Sequence, residues 1–231
     1  MIALRKSKDR GSADHGWLRT YHTFSFSTYF DPAHTNYRAL RVINEDWLAA
    51  GKGFSTHPHK NMEIITYVIR GLLEHKDSMG NGSVIRAGEM QRMSAGTGVT
   101  HSEINSSDEE THLLQIWVSP ERRGLEPEYE QDDFTDRKKS NSLTLLASQT
   151  GKAESLIVHQ DMELYVSLLE QGKSLNYQPD LDRHIWVQII EGIVDINGTL
   201  LHTGDGAATN NETVLRLTAE QPAEFLLFDL A

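Results

Sequence analysis

Cysteine is absent from the 231-residue chain, so disulfide bonds and thiolate metal ligands are both excluded. The sequence also lacks long hydrophobic runs, since none approaches the ~18 apolar residues that indicate a membrane span. Residues 1–8 do not contain the apolar stretch of a signal peptide. We therefore expect a cytoplasmic protein without a membrane partner.

Basic residues are fewer than acidic ones, with 22 Lys and Arg against 33 Asp and Glu. The formal net charge is −11 and the sequence pI is about 5.4. Proteins that bind nucleic acid directly usually carry a basic stripe, because phosphate neutralisation supplies much of the affinity. The local basic clusters at 122–123 and 137–139 stand among acidic residues, and we interpret them as solvated loop charge. The composition predicts no direct contact with nucleic acid.

Helix signals are sparse, and most of the chain consists of short apolar, β-branched runs between glycine, asparagine and aspartate clusters. Such spacing is typical of β-sandwiches and β-barrels. Clear runs lie at 64–69, 113–118, 164–169 and 185–190. Asn197-Gly198 between two further runs is a strong signal for a two-residue hairpin. The sequence predicts an all-β protein.

The two halves of the chain are related by a shift of 121 positions. This shift places Gly51 on Gly172, Pro58 on Pro179 and Gly71 on Gly192, and it overlays the run 65–69 on 186–190. A chance match of three small residues is the alternative, which the overlapping runs disfavour. A repeat of this length indicates two copies of one β unit.

A polar, acidic stretch from residue 121 to 142 separates the halves and is the best candidate for a linker. We predict an N-terminal domain over 1–130, a linker over 131–142 and a C-terminal domain over 143–231.

Two short patterns, His57-Pro58-His59 and His101-Ser102-Glu103, carry the chemistry of the N-terminal half. Residues at i and i+2 of a strand point to the same face, and Pro58 favours the extended backbone that this requires. Three imidazoles and one carboxylate together indicate a metal site. The candidate ligands are therefore His57, His59, His101 and Glu103, with Glu103 acting as ligand, as base or as both.

Other residues near these patterns are weaker candidates. We expect Glu63 to accept an N–H from a ligating histidine, and His75 to be exposed in a hairpin. Trp47 and Phe54 are candidates for the mouth of a pocket, with plain packing as the alternative. The shift of 121 replaces His57 and His59 by Gln178 and Asp180, so no metal site is expected in the second copy. Three methionines near the patterns, Met62, Met90 and Met93, are expected to form the pocket wall, with packing in the β core as the alternative.

Longer stretches of the sequence carry a resemblance to a known family. Gly51, the His57-x-His59 pair, Glu63 and Gly71 look like the first cupin motif, and Gly88, Gly96 and His101 resemble the second. Ser94-Ala95-Gly96 stands where many cupins place Pro-x-Gly. The more specific stretches are His22-Thr23-Phe24-Ser25-Phe26, Leu40-Arg41-Val42-Ile43-Asn44, Gly53-Phe54-Ser55-Thr56-His57-Pro58-His59 and Met93-Ser94-Ala95-Gly96-Thr97-Gly98-Val99-Thr100-His101-Ser102-Glu103. Together they resemble the pirin family, closely over about residues 15–120.

The resemblance implies a bicupin, with two jelly-roll β-barrel domains related by duplication and a metal only in the N-terminal one. The pirin ligands match His57, His59, His101 and Glu103, and the usual metal is iron. We therefore expect Fe(II), with other divalent transition metals as alternatives. Bacterial members of the family can act as quercetin 2,3-dioxygenases, whereas the animal protein is a nuclear transcription cofactor.

The leading hypothesis is a dioxygenase that cleaves the central ring of a flavonol such as quercetin with O₂ and releases carbon monoxide. In this hypothesis the metal chelates the substrate and Glu103 is the catalytic base. The alternative is a non-enzymatic, iron-dependent sensor or regulatory cofactor that binds a protein partner. A cupin isomerase or Zn²⁺ hydrolase is disfavoured because no separate nucleophile or base stands out.

Overall fold

The computed structural model describes residues 2–210 and 212–231, and within them it confirms the all-β prediction. Both helices in these ranges are single 3₁₀ turns, Ser7–Asp9 and Lys152–Glu154, and neither is long enough to span a bilayer. The strands are, in chain order, β1 Ile2–Arg5, β2 Gly11–Asp14, β3 Leu18–His22, β4 Leu40–Leu48, β5 Gly53–His59, β6 Glu63–Arg70, β7 Leu72–Asp77, β8 Gly82–Arg86, β9 Glu89–Ser94, β10 Val99–Ile104, β11 Thr111–Val118, β12 Glu128–Asp133, β13 Leu143–Ser148, β14 Leu156–Ile157, β15 Met162–Leu169, β16 Ser174–Tyr177, β17 His184–Ile196, β18 Thr199–His202, β19 Gly206–Asn210 and β20 Leu215–Leu230.

The chain divides into two compact units. The N-terminal unit contains residues 11–135 and 156–160, and the C-terminal unit contains 2–10, 136–155 and the described residues from 161 onward. The first strand thus belongs to the unit built mainly from the end of the chain. Part of the stretch considered as a linker forms β12, which pairs with β9. The boundaries at 130 and 143 stay predictions.

The N-terminal unit is built from two antiparallel sheets. One has the order β5-β10-β7-β8 and the other the order β12-β9-β6-β11-β4-β3-β2. Apolar side chains fill the two ends of the space between the sheets. Leu18, Leu48, Val68, Leu73, Ile85 and Leu113 form one cluster, and Ile64, Met93, Ala95 and Val99 form the other.

The alternation of side chains along β6 shows what lies between these two clusters. Ile64 belongs to one cluster and Val68 to the other. The residue between them on the same face is Thr66, which is fully buried. A buried polar layer therefore crosses the middle of an otherwise apolar core.

In the C-terminal unit, strands β1, β13 and β15 to β20 all belong to one antiparallel sheet, and the apolar core is more continuous. The shift of 121 positions places the first residue of β6, Glu63, on His184, the first residue of β17. Gly71 interrupts the first copy between β6 and β7 with φ +82°, and Gly192 has φ +87° inside β17. A left-handed backbone at both positions favours glycine, so the conformation agrees with the predicted duplication. In the second copy β16 ends at Tyr177, before the positions that match the histidine pair.

Candidate metal centre

Antiparallel pairing of β5 with β10 brings the two sequence patterns side by side. The register places His57 opposite His101, Pro58 opposite Thr100 and His59 opposite Val99. A break in register follows between His101 and Glu103. Because each pair sits on one face of its strand, the three imidazoles point into the N-terminal unit together.

The three imidazoles form one compact cluster. Ring centroids lie 4.5 Å apart for His57 and His101, 4.8 Å for His57 and His59, and 4.9 Å for His59 and His101. One ring nitrogen from each lies within 4.8 Å of the others. His101 is buried, whereas His57 and His59 are partly exposed. The structure thus brings together three of the four predicted ligands.

The protonation of the rings suits a cation. Burial, and then the neighbouring His57, lower the pKa of His59 to about 4. Burial, and then the neighbouring His57, His59 and His75, lower the pKa of His101 to about 3. Nδ1 of His57 donates to the carbonyl oxygen of Ser55 at 2.8 Å, so in the neutral form of this ring the lone pair is on Nε2. Neutral imidazoles with converging nitrogens are the form that binds divalent transition metals, so these residues fit a metal.

Glu103 lies next to the cluster in the buried polar layer. Its Oε1 accepts hydrogen bonds from Thr66 and Gln91 at 3.2 and 2.8 Å, and its Oε2 accepts one from Gln115 at 2.8 Å. Burial raises the pKa of Glu103 to about 7, although these hydrogen bonds oppose the rise. Its carboxylate comes within 4.8 Å of ring nitrogens of His75 and His101. Whether Glu103 ligates a metal stays a prediction.

Asp46 on β4 is a second buried carboxyl that the sequence analysis missed. It is 3% exposed, and its Oδ1 has no hydrogen-bond partner in the described part of the chain. Burial raises the pKa of Asp46 to about 7, with smaller contributions from Glu103 and Glu45. The sequence feature that could have revealed this buried carboxyl is the acidic pair at positions 45–46, inside an otherwise mostly apolar strand.

Two expectations about neighbouring residues are wrong. His75 is fully buried rather than exposed, because it follows Leu73 by two residues on the same, core-facing side of β7. Glu63 is buried but accepts hydrogen bonds from the Ser94 hydroxyl and the His159 backbone N–H. It therefore does not orient a ligating ring, since it precedes Thr66 by three residues and faces the opposite side of β6.

The remaining aromatic and methionine candidates divide into residues that line a cavity and residues that pack elsewhere. Phe54 lines a cavity beside the histidines. Trp47 instead stacks on His112 with centroids 4.1 Å apart, which agrees with the alternative of plain packing. Met90 and Met93 are fully buried core residues.

The cavity has a volume of about 390 Å³ and opens beside His57 and His59. Trp17 packs edge-on against Phe54 at 5.5 Å, and Phe26 packs edge-on against Trp117 at 5.4 Å. The full lining is Trp17, Phe26, Gly53, Phe54, Ser55, His57, His59, Gln115 and Trp117. The size is within the range of small-molecule sites, and the walls offer aromatic faces to a planar ligand.

Comparison with known proteins gives matches over most of the chain. A family model described as Pirin matches residues 3–118, and one described as Quercetinase C-terminal cupin domain matches residues 145–230. A quercetin 2,3-dioxygenase of Escherichia coli K12 is 50% identical, over 100% of this chain and 99% of its own length. A pirin-like protein of Caulobacter vibrioides is 40% identical over 98% of this chain and 99% of its own length.

A solved structure shows the same architecture. The crystal structure of the bacterial pirin YhhW from Escherichia coli in complex with nickel(II) has a TM-score of 0.95 and 48% identity, and the match covers 100% of this chain and 99% of that one. These matches confirm the predicted bicupin, with one cupin domain in each half.

Proposed function

Because this chain belongs to the pirin family, we propose that it is a metal-dependent dioxygenase of the quercetin 2,3-dioxygenase type. The observation that carries the proposal is the aromatic cavity beside His57 and His59. Gln115 lines this cavity and also donates to Glu103, so one side chain joins the substrate space to the buried carboxylate. The relative from Escherichia coli K12 bears the name of this activity.

His57, His59, His101 and Glu103 are the residues we propose as metal ligands. We propose Fe(II) as the metal, since imidazole and carboxylate donors suit non-haem Fe(II) sites. The family also accepts other divalent ions, as the nickel(II) complex of the Escherichia coli pirin shows for that protein. When bound, the metal supplies Lewis acidity that favours ionisation of a substrate hydroxyl.

The aromatic walls of the cavity orient the substrate. Phe54 and Trp117 both line the cavity, and each packs edge-on against a second aromatic ring of the lining. Aromatic rings favour offset or edge-on contacts with one another. A flavonol held between them would direct its 3-hydroxyl to the histidine side of the cavity. The same apolar walls exclude water from the reacting ring.

Glu103 takes the proton of the 3-hydroxyl. A base works best when its pKa lies near the working pH, and burial raises the pKa of Glu103 to about 7. Hydrogen bonds from Thr66, Gln91 and Gln115 hold its carboxylate in place. In the overall reaction both atoms of O₂ enter the product, the central ring opens and one ring carbon leaves as carbon monoxide.

The test is an oxygen-electrode trace on quercetin with Fe(II)-loaded protein, together with carbon monoxide detection. We expect oxygen uptake with stoichiometric carbon monoxide, and a loss of 10²–10⁴-fold in kcat for Glu103→Gln. Glu63→Gln is the matched control, because Glu63 is equally buried but contacts none of the three imidazoles. Loaded protein that consumes no oxygen, or a Glu103→Gln variant at full rate, would contradict the proposal.

Three expectations from the sequence stay predictions. They are the cytoplasmic location, the absence of direct nucleic-acid contact, and the protein partner of the regulatory alternative. Metal analysis of protein purified from its own cells tests the choice of Fe(II).

A further inference from the structure

His75 is a buried imidazole that the proposed reaction does not use. It lies on β7, which pairs with β10 so that His75 is opposite Glu103 and Asp77 is opposite His101. Its ring stacks on Tyr129 with centroids 4.8 Å apart and lies 5.3 Å from the ring of His101. The position is therefore built by β-pairing and aromatic packing, directly behind one of the proposed ligands.

Asp77 fixes the proton on one nitrogen of this ring. Its Oδ1 accepts the backbone N–H groups of Met79 and Asn81 at 2.9 and 3.0 Å, and its Oδ2 accepts the Asn81 side-chain amide at 2.9 Å. A carboxylate that already accepts three hydrogen bonds acts as an acceptor toward the next neighbour as well. Nε2 of His75 lies 3.1 Å from Oδ2 and is therefore the donor, which leaves Nδ1 of the neutral ring as an acceptor.

The same reasoning passes to His101. Nδ1 of His75 and Nδ1 of His101 are 3.5 Å apart, so the ring of His101 must supply the proton between them. Its Nε2 then carries a lone pair, and this atom lies 3.1 Å from Nε2 of His57. Nδ1 of His57 donates to Ser55, so in the neutral form of His57 two lone pairs face the same point. Two facing lone pairs form no hydrogen bond, but they are correctly oriented for a shared cation.

We propose that Asp77 and His75 are positioning residues that hold His101 in the Nδ1–H tautomer, so that its Nε2 is always presented to the metal. Ligating histidines usually donate their second N–H directly to a carboxylate or carbonyl. Here an additional imidazole stands between the ligand and the carboxylate, and the β7–β8 turn anchors the far end. The inference rests on the proposed metal site and not on flavonol turnover.

Three variants of the full chain separate orientation from packing. His75→Leu removes the acceptor, whereas His75→Asn keeps an amide oxygen near the position of Nδ1. Asp77→Asn offers an amide N–H to Nε2 of His75, which moves the proton of the His75 ring to Nδ1. This proton then faces the Nδ1–H of His101, and the two groups can no longer form a hydrogen bond. The control is Glu45→Gln, because Glu45 forms a carboxylate–imidazole pair with His112 at 3.0 Å on strands β4 and β11, away from the three imidazoles.

The first readout is the dissociation constant for Ni²⁺, measured by competition with a chelator. We expect His75→Leu and Asp77→Asn to bind about 10- to 100-fold more weakly, as found when partners of ligating histidines are removed. His75→Asn should recover most of the affinity, and Glu45→Gln should bind within about twofold of the parent. Parent-like affinity in His75→Leu overturns the proposal, as does an equal loss in folded His75→Asn or in Glu45→Gln.

The second readout is the ¹⁵N NMR spectrum of the imidazoles in metal-free protein, with His101 assigned by comparison with His101→Gln. We expect Nδ1 of His101 to be protonated in the parent and Nε2 to be protonated in Asp77→Asn. An unchanged tautomer of His101 in Asp77→Asn refutes the positioning role. If the positioning role passes both tests while metal-loaded protein does not react with quercetin, the proposed function fails and the positioning role stands.

Discussion

At the scale of single residues, the aromatic side chains around the metal centre have separate tasks. Phe54 faces the cavity and packs edge-on against Trp17. Trp47 lies under the guanidinium of Arg19 at 4.5 Å and stacks on His112, on the other face of its sheet. Phe54 lines the cavity and Trp47 does not, so substitutions of these two residues form a matched pair for testing the cavity.

We expect Phe54→Leu to raise the KM for quercetin by about 2- to 10-fold with a smaller change in kcat. The reason is that an aromatic contact contributes about 0.5–1.5 kcal/mol beyond its buried area, and 1.4 kcal/mol is a factor of ten. Steady-state oxygen uptake measures both constants. Trp47→Leu should leave KM unchanged, and a larger KM effect there would show that the cavity is not the binding site.

At the scale of elements, the centre depends on how closely β5 approaches β10. Gly53 faces Ile104 in the register, next to the break at Glu103. A Cβ atom on Gly53 would collide with the backbone oxygen of Glu103 and meet the Cα of Ile104 at 2.6 Å. Glycine is therefore required at this position by the neighbouring strand rather than by a left-handed backbone.

Gly53→Ala should lower the free energy of unfolding by about 1–3 kcal/mol, the usual cost of inserting an atom into a packed site. It should also weaken Ni²⁺ binding, because the displaced backbone carries Glu103. Gly82→Ala in β8 of the same sheet is the control, since its Cβ would meet only the Lys76 side chain at 3.9 Å. Urea unfolding and metal titration decide the matter, and equal effects from both variants would contradict the close-approach argument.

At the scale of the whole molecule, the start of the chain is tied into the C-terminal unit. Strand β1 pairs with β19, and the buried Asp205 carboxylate accepts N–H groups of Ser7 and His202 at 2.7 and 3.1 Å. Lys6 adds a charged contact at 3.3 Å. Burial alone would raise the pKa of Asp205, but these hydrogen bonds and the lysine charge hold it below its usual value.

Asp205→Asn should lower the free energy of unfolding at pH 7 by about 1–3 kcal/mol, because buried donors lose a charged acceptor. The folded-state pKa lies below the unfolded value of about 3.9. The stabilisation is therefore complete above that value and is lost as the pH falls through the folded pKa. Urea unfolding from pH 7 to pH 3 measures this.

The difference between the parent and Asp205→Asn should be constant down to about pH 5 and shrink below about pH 4, following the unfolded pKa of aspartate. Asp195→Asn serves for comparison, since Asp195 accepts one N–H, from Gly198 in the β17–β18 turn. A difference that grows toward acid pH would be inconsistent with a depressed pKa.

The sequence by itself determined the local features of this protein. The i, i+2 spacing of His57 and His59 fixes their shared face in any strand, and the alternation and turn signals fix an all-β chain. The repeat of 121 positions anticipated the matching left-handed glycines at Gly71 and Gly192. Such features depend on neighbours within a few residues, or on a duplicated pattern, and both can be read along the chain.

Tertiary structure alone decided which distant side chains share the buried layer. His75 lies 26 positions before His101 and meets it only because β7 pairs with β10. Asp46 is buried near Glu103 and Glu63 is turned away, for the same reason that register and strand face are set by packing. Long-range pairing, which leaves no local trace in the sequence, therefore determined how the proposed ligands are held.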